Sequence, residues 1–204
     1  MFVIYKGIYF FIEICITLYK NLRHAKVIRY DNVNHRIPKK CKYMNNKKIA
    51  RILFVCLGNI CRSPAANGIL EKMVSERGLE HQIEVDSAGT YPGHRGELPD
   101  PRMRRAAAER GYNLTHRART VSEDDFYEFD MIIVMDDSNY ERVSRLAPER
   151  KYLDKLHRMV EFTTDFPDYS YIPDPYYEGA EGFYLVLNML ENGCSNLLGK
   201  LLEK

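Results

Sequence analysis

The chain has 204 residues, 45% hydrophobic and 28% charged, enough for one ordinary domain and too few for two full ones. That profile excludes a disordered, collagen-like or multi-span membrane chain. The net charge of +2 leaves no basic footprint for nucleic acid, but it averages a split: residues 1–43 hold nine Lys/Arg against two Asp/Glu, and residues 44–204 hold 21 against 26.

The basic leader, residues 1–43, reads poorly as a folded unit. Its apolar run Gly7–Tyr19 is thirteen residues long and interrupted by Glu13. A membrane helix needs about 20 apolar residues, so no stable span is expected. Neither a charge-first signal nor a small-residue cleavage site is clear. The leader is expected to be unstructured or not translated, with Met44 as a plausible start. The alternatives are a membrane-surface segment, its basic residues drawn to anionic lipid, and a structured N-terminal addition.

From Met44 the pattern tightens. Ile52–Val55 is a short apolar run of the buried-strand type. After a loop, Pro64–Arg77 reads as a helix with Ile69, Leu70, Met73 and Val74 on its apolar side and Gly78 at its end. Ile83–Asp86 is a second strand, followed by a Gly- and Pro-containing loop over Thr90–Pro99. Pro101–Arg110 is a helix with Pro101 in its first turn. Ser122–Tyr127 is a short helix with a capping pattern, Ser122 then Asp125. Met131–Met135 is a third strand, Asp137–Leu146 a helix halted by Pro148, and Leu156–Val160 a fourth strand. Phe166–Tyr177 is a long loop with three prolines, and Glu181–Leu202 a closing amphipathic helix. Strands alternating with helices predict an α/β fold: a parallel four-stranded sheet with helices on both faces, three layers in all. Ligands of such sheets lie beyond the carboxyl ends of the strands. That rule points to the loop after the first strand.

The loop reads Cys56-Leu57-Gly58-Asn59-Ile60-Cys61-Arg62-Ser63-Pro64. Successive N–H groups in such a turn form an anion-binding nest, and the following helix adds partial positive charge. Gly58 permits unusual backbone angles, and Asn59 tolerates left-handed geometry and can lock the loop through its amide. Arg62 offers a planar fork for two oxygens of a phosphate-like anion. Cys56 at the loop mouth is placed as a thiolate nucleophile, and Ser63 can donate a hydrogen bond to its sulfur. The implied chemistry is attack on phosphorus with the equatorial oxygens held by the loop. It needs no metal and no cofactor, and no second Cys/His pair completes a zinc site with Cys56 and Cys61. The five cysteines, at 15, 41, 56, 61 and 194, form no disulfide framework. A reducing, cytoplasmic setting suits a working thiolate.

Cys56-x5-Arg62-Ser63 resembles the signature of the low-molecular-weight protein tyrosine phosphatases. The resemblance spans about residues 49–204. It continues through Asp86-Ser87-Ala88-Gly89, Asp100-Pro101-Arg102, His116-x-Ala118-Arg119, Met135-Asp136-Asp137-Ser138-Asn139 and Asp174-Pro175-Tyr176-Tyr177. It implies a phosphatase acting on phosphotyrosine-containing proteins through a phosphocysteine, with Asp174 as general acid and base. It also implies that Tyr176 and Tyr177 flank the pocket mouth, and that Asn59, Ser87 and His116 support the loop from behind. Asp136, at the carboxyl end of the third strand, is placed to orient Arg62 or the loop. Two positions depart from the pattern. Gly93 stands before His94 where the family often has an aromatic wall residue, with Tyr91 two positions earlier on the rim. Asn67 stands where the family often has Glu.

Three rivals are weighed. Arsenate reductases on this fold need further downstream cysteines, and beyond the loop there is only Cys194. Protein-arginine phosphatases carry Thr where this chain has Ile60, whose apolar side chain suits an aromatic ring. A phospho-binding module without turnover would lack Cys56, Arg62 or Asp174, and all three are present.

Overall fold

The computed structural model describes residues 50–203. The expectations for the leader, residues 1–43, lie outside the described residues. Four strands, β1 (Ala50–Cys56), β2 (Ile83–Gly89), β3 (Met131–Val134) and β4 (Leu156–Arg158), form one parallel sheet in the order β2-β1-β3-β4. Helices α1 (Arg62–Glu76), α2 (Pro101–Glu109), α3 (Asp125–Glu128), α4 (Asp137–Ser144) and α5 (Ala180–Leu202) complete the α/β layers. The expected three-layer sheet is borne out.

The period-two alternation of a strand explains the layering. Along β1, Ile52, Phe54 and Cys56 face a core shared with Ile69 and Leu70 of α1 and Leu187 and Leu190 of α5. Leu53 and Val55 face a second core with Phe126, Ile132, Val134 and Val143. All of these are nearly or fully buried, and each large apolar side chain contributes about 1.5–3 kcal/mol of burial free energy. Both faces of β1 are therefore committed to cores, and its carboxyl end, with Cys56 paired to Gly89 of β2, is buried as well; the chain reaches the surface at the next residue, Leu57. The chain leaves β1 toward β2 on one side and returns to β3 on the other. That order opens a crevice at the strand ends.

Several boundaries differ from the sequence reading. Helix α1 begins at Arg62, two residues early, because the Ala65 N–H already donates to the Cys61 carbonyl at 3.2 Å. The expected strand Leu156–Val160 ends at Arg158, where the Arg158 N–H donates to Glu161 Oε1 (3.0 Å) and a 3-10 turn over Met159–Phe162 takes over. A further 3-10 turn at Arg150–Lys155 precedes β4, and another, Pro92–His94, lies inside the expected loop. The short helix α3 starts at Asp125. The Ser122 N–H donates to Asp125 Oδ2 (2.8 Å), so the carboxylate half of the expected capping pattern forms. Among the described residues no helix is long and apolar enough to cross a membrane.

Candidate active site

The loop from Cys56 to Ser63 closes the carboxyl end of β1 and runs directly into α1. Cys56 is 2% exposed. Its Sγ lies 3.1 Å from Ser63 Oγ and accepts the Asn59 N–H at 3.3 Å. Ser63 has one hydroxyl hydrogen and two acceptors for it, Sγ and the Ala88 carbonyl at 3.1 Å. It can thus turn toward a sulfur that carries negative charge.

Asn59 is the hub. Its φ of +54° makes it the one non-glycine residue in the left-handed region among those described. The loop's left-handed turn therefore falls at Asn59, not at Gly58. Gly58 serves contact instead: a β-carbon there would meet the His94 ring at 3.1 Å. Asn59 Nδ2 donates to Ser63 Oγ and Ser87 Oγ, both at 2.9 Å. Its Oδ1 accepts the Arg119 N–H at 2.9 Å and His116 Nε2 at 3.2 Å. Because Oδ1 only accepts, His116 Nε2 carries the hydrogen. Burial lowers the His116 pKa below its ordinary value, against the pull of Asp86, whose Oδ1 is 3.5 Å from Nδ1. Arg119 reaches onward to Asp86 (2.9 Å) and Asp125 (2.9 Å), and so anchors this support.

Gly89 lets the two layers meet. A β-carbon there would lie 2.8 Å from Leu57 O and 2.9 Å from Asn59 N. The loop's backbone also bonds the segment after β2, through Thr90 N to Cys56 O and Tyr91 N to Leu57 O, each 2.9 Å.

Arg62 is buried beneath the loop. Nη1 donates to Asp136 Oδ2 at 2.6 Å and to the Ile172 carbonyl at 3.1 Å; Nη2 donates to Asp174 Oδ2 at 2.7 Å. Nε is buried with no partner. Burial works against its charge, but Cys56, Asp174 and Asp136 outweigh it, and the guanidinium pKa is raised. Asp136 accepts the Asn139 N–H (2.7 Å) and caps α4, which fixes it at the end of β3. Asp174 Oδ1 accepts the Tyr176 N–H at 3.2 Å at the start of a 3-10 turn, Pro175–Tyr177.

Cys56, Leu57, Ile60, Cys61, Arg62 and Asp174 surround a cavity of about 170 Å³, with Tyr91, His94, Tyr176 and Tyr177 on its walls. Tyr176 and Tyr177 meet edge to face, with centroids 4.9 Å apart, and Tyr177 is 90% exposed. Tyr91 packs edge-on to His94. Its ring lies where a side chain at position 93 would go: a β-carbon on Gly93 would be 2.1 Å from Tyr91 Cε1. The aromatic wall absent at position 93 is thus supplied from position 91.

The expected residues fall into two sets. Cys56, Leu57, Gly58, Ile60, Cys61, Arg62, Tyr91, Asp174, Tyr176 and Tyr177 line the cavity; Asn59, Ser63, Ser87, His116 and Asp136 support it from behind. Burial, with Asp100 adding to it, pushes the Cys61 thiol far up. Asn67 is buried on α1, with its Oδ1 unpartnered. Sequence reasoning missed the roles of Gly89, Arg119, His94, Asp100 and the Ile172 carbonyl. All but Ile172 lie in or beside segments already noted for their resemblance.

Residues 51–204 match the family described as low molecular weight phosphotyrosine protein phosphatase. The chain is 37% identical to the low molecular weight protein-tyrosine-phosphatase of Streptomyces coelicolor over 76% of its own length and 94% of the relative's. A solved structure of a protein tyrosine phosphatase from Entamoeba histolytica, with Hepes in its active site, is 42% identical. It superposes with a TM-score of 0.72, covering 75% of this chain and 97% of that one. A Drosophila arginine phosphatase is 32% identical with a TM-score of 0.68, covering 73% and 96%. The chain belongs to the low molecular weight protein-tyrosine-phosphatase family.

Proposed function

We propose that this protein hydrolyses phosphotyrosine in proteins, and small aryl phosphates, with Cys56 as nucleophile and Asp174 as general acid and base. The observation that carries the reading is the convergence of Cys56, Arg62 and Asp174 on one aromatic-walled cavity. The Cys56 thiolate attacks phosphorus; an S–P bond forms and the P–O bond to the phenol breaks. Protonated Asp174 gives its proton to the leaving phenolate. The resulting carboxylate then takes a proton from a water that attacks the phosphocysteine. The new P–O bond releases phosphate, and the departing sulfur receives the Ser63 hydrogen bond. Loop N–H groups and Arg62 stabilise the equatorial oxygens throughout. We place the domain at residues 44–204, with the leader outside it, and its setting in the reducing cytoplasm, where Cys56 and Cys61 stay as the free thiols they are.

Likeness to an arginine phosphatase supports a second reading, phosphoarginine as substrate. Ile60 speaks against it, since it gives the cavity wall an apolar surface with no hydroxyl for a guanidinium. The test is a panel of phosphotyrosine, phosphoserine and phosphoarginine peptides with the wild type, Cys56→Ser and Asp174→Asn. Hydrolysis of phosphotyrosine peptides is expected, lost at least about a thousandfold in Cys56→Ser. Asp174→Asn is expected to slow phenyl phosphate far more than 2,4-dinitrophenyl phosphate, whose leaving group needs no proton. Preference for phosphoarginine, or retained turnover in Cys56→Ser, would overturn the reading.

A further inference from the structure

Arg102, in the first turn of α2, touches two parts of the site that are far apart in sequence. Nε donates to Asp100 Oδ1 (3.0 Å) and Nη2 to Asp100 Oδ2 (2.8 Å), a two-pronged pair. Asp100 is buried, and its own N–H donates to the Ile60 carbonyl of the phosphate loop at 2.8 Å. The third nitrogen, Nη1, donates to the Tyr176 carbonyl at 3.1 Å. The guanidinium also lies against two rings, 5.1 Å from the centroid of Tyr176 and 5.0 Å from that of Phe183. Tyr176 in turn gives its N–H to Asp174 Oδ1 at 3.2 Å. The path is continuous: phosphate loop, Asp100, Arg102, Tyr176, Asp174.

This contact is more than close packing. One side of the guanidinium borders a cavity of about 330 Å³, lined also by Arg105, Ala106, Glu178 and Phe183. The cation is held by directed hydrogen bonds and two rings, not by a filled core. The segment it holds needs holding. Residues 173–177 run through two prolines, and the side chain of Tyr177 projects into solvent. Within that segment Asp174 is tied only through Arg62 and the Tyr176 N–H among the described residues.

We propose that Arg102 is a positioning residue for the general acid: it clamps the Asp174 loop to the phosphate loop and fixes the carboxyl group where the leaving oxygen departs. Proton delivery demands a heavy-atom distance of about 2.6–3.2 Å, so a loose carboxyl group loses rate on poor leaving groups first. Lysine keeps the charge that Asp100 requires. It cannot grip both Asp100 oxygens and Tyr176 at once, nor lie flat between two rings.

The inference rests on the phosphatase reading above. The experiment measures kcat/KM for phenyl phosphate and 2,4-dinitrophenyl phosphate in wild type, Arg102→Ala, Arg102→Lys, Asp174→Asn and the double variant Arg102→Ala/Asp174→Asn. Inhibition by inorganic phosphate monitors the phosphate loop. Both Arg102 variants are expected to lose about tenfold on phenyl phosphate and under about threefold on the dinitrophenyl ester, a part of what general acid catalysis supplies. Phosphate inhibition is expected to stay within about twofold. In the Asp174→Asn background the Arg102 change is expected to add nothing on phenyl phosphate, because the group it positions is gone. Equal losses on both esters, or additive losses in the double variant, overturn the proposal. If Arg102→Ala does not fold, the ester ratio of Arg102→Lys decides alone. A wild type inactive on every aryl phosphate would instead refute the phosphatase reading itself.

Discussion

Removing the Asn59 side chain tests whether the phosphate loop is held by that one residue. Asn59 is 1% exposed and makes four side-chain hydrogen bonds, to Ser63, Ser87, His116 and the Arg119 N–H. At about 1 kcal/mol net for each neutral bond, Asn59→Ala forfeits about 4 kcal/mol. Alanine at φ +54° adds about 1 kcal/mol more, since a β-carbon without a polar side chain is poorly tolerated there. Ser63 keeps its Ala88 and Cys56 partners, which lowers the total to about 3–5 kcal/mol. For a domain of this size that corresponds to a fall in Tm of roughly 10 °C. Asn59→Gly relieves the backbone cost and is expected to recover about 1 kcal/mol of it. Ser87→Ala, which removes one bond of the four, is expected to lower Tm by only about 2–4 °C. The assays are thermal melts followed by circular dichroism and kcat/KM on an aryl phosphate. The latter is expected to fall at least about tenfold in Asn59→Ala, as the donors lose their common geometry. A melt within about 2 °C of wild type with nearly full activity would mean that the backbone alone holds the loop, and the hub would be refuted.

Two further outcomes follow from particular contacts. Gly93→Ala would place a methyl group inside the Tyr91 ring and drive it off the wall; KM for aryl phosphates is expected to rise several-fold, about what one lost aromatic contact is worth, while inhibition by inorganic phosphate stays constant. An unchanged KM would show that Tyr91 does not face the substrate ring. His116 is held below its usual pKa, mainly by burial, so the unfolded chain binds a proton before the folded one does. Its contribution is complete above the unfolded value, near 6.5, and is lost as pH falls from there toward the folded value. Tm is therefore expected to drop as pH is lowered below about 6.5, and less steeply in His116→Gln; identical slopes would remove His116 from the account.

The parts of this molecule legible in its sequence are those whose residues are neighbours in the chain. The Cys56–Ser63 loop carries its nucleophile, arginine and serine in one turn between a strand and a helix, so their types and spacing announce the chemistry. The apolar runs of β1 and β3 announce a buried parallel sheet in the same way. Asp174 was different. It lies 112 residues from Arg62, and only the resemblance of Asp174-Pro175-Tyr176-Tyr177 distinguished it from other carboxylates. Arg102 and Arg119 fall within segments of the family resemblance, but what each one holds does not follow from the sequence, because their partners are assembled by the fold. Gly89 stands out in sequence only as part of Asp86-Ser87-Ala88-Gly89, and its missing β-carbon, which lets Leu57 and Asn59 approach, shows only in the fold. The sequence reads β4 as longer than it is, because Met159 and Val160 have the composition of a strand. The turn that ends it depends on the Glu161 carboxylate folding back on the Arg158 N–H.

The ion pairs around Arg62 suggest how binding and proton delivery are linked in the proposed mechanism. Asp136 is committed at both oxygens, one to Nη1 and one to the N-terminus of α4, and the end of β3 carries it. Asp174 is held on a short proline-flanked turn, and its Oδ2 takes Nη2. Nη2 and Nε share one edge of the guanidinium, and Nε has no partner. That edge is the one with the geometry to take two phosphoryl oxygens. A phosphoryl group arriving there would compete with Asp174 and leave Asp136 in place, because the dianion offers more charge to the same nitrogens. In this proposal Asp174 Oδ2 would then be freed beside the phosphorus, while Oδ1 keeps the Tyr176 N–H and the contact of Arg102 with the Tyr176 carbonyl holds that turn near the loop. The same exchange that seats the substrate would therefore free a carboxylate oxygen to take up a proton from solvent and hand it to the leaving oxygen. Asp136 keeps the guanidinium charge-compensated throughout, so Arg62 need not leave its buried position to change partners.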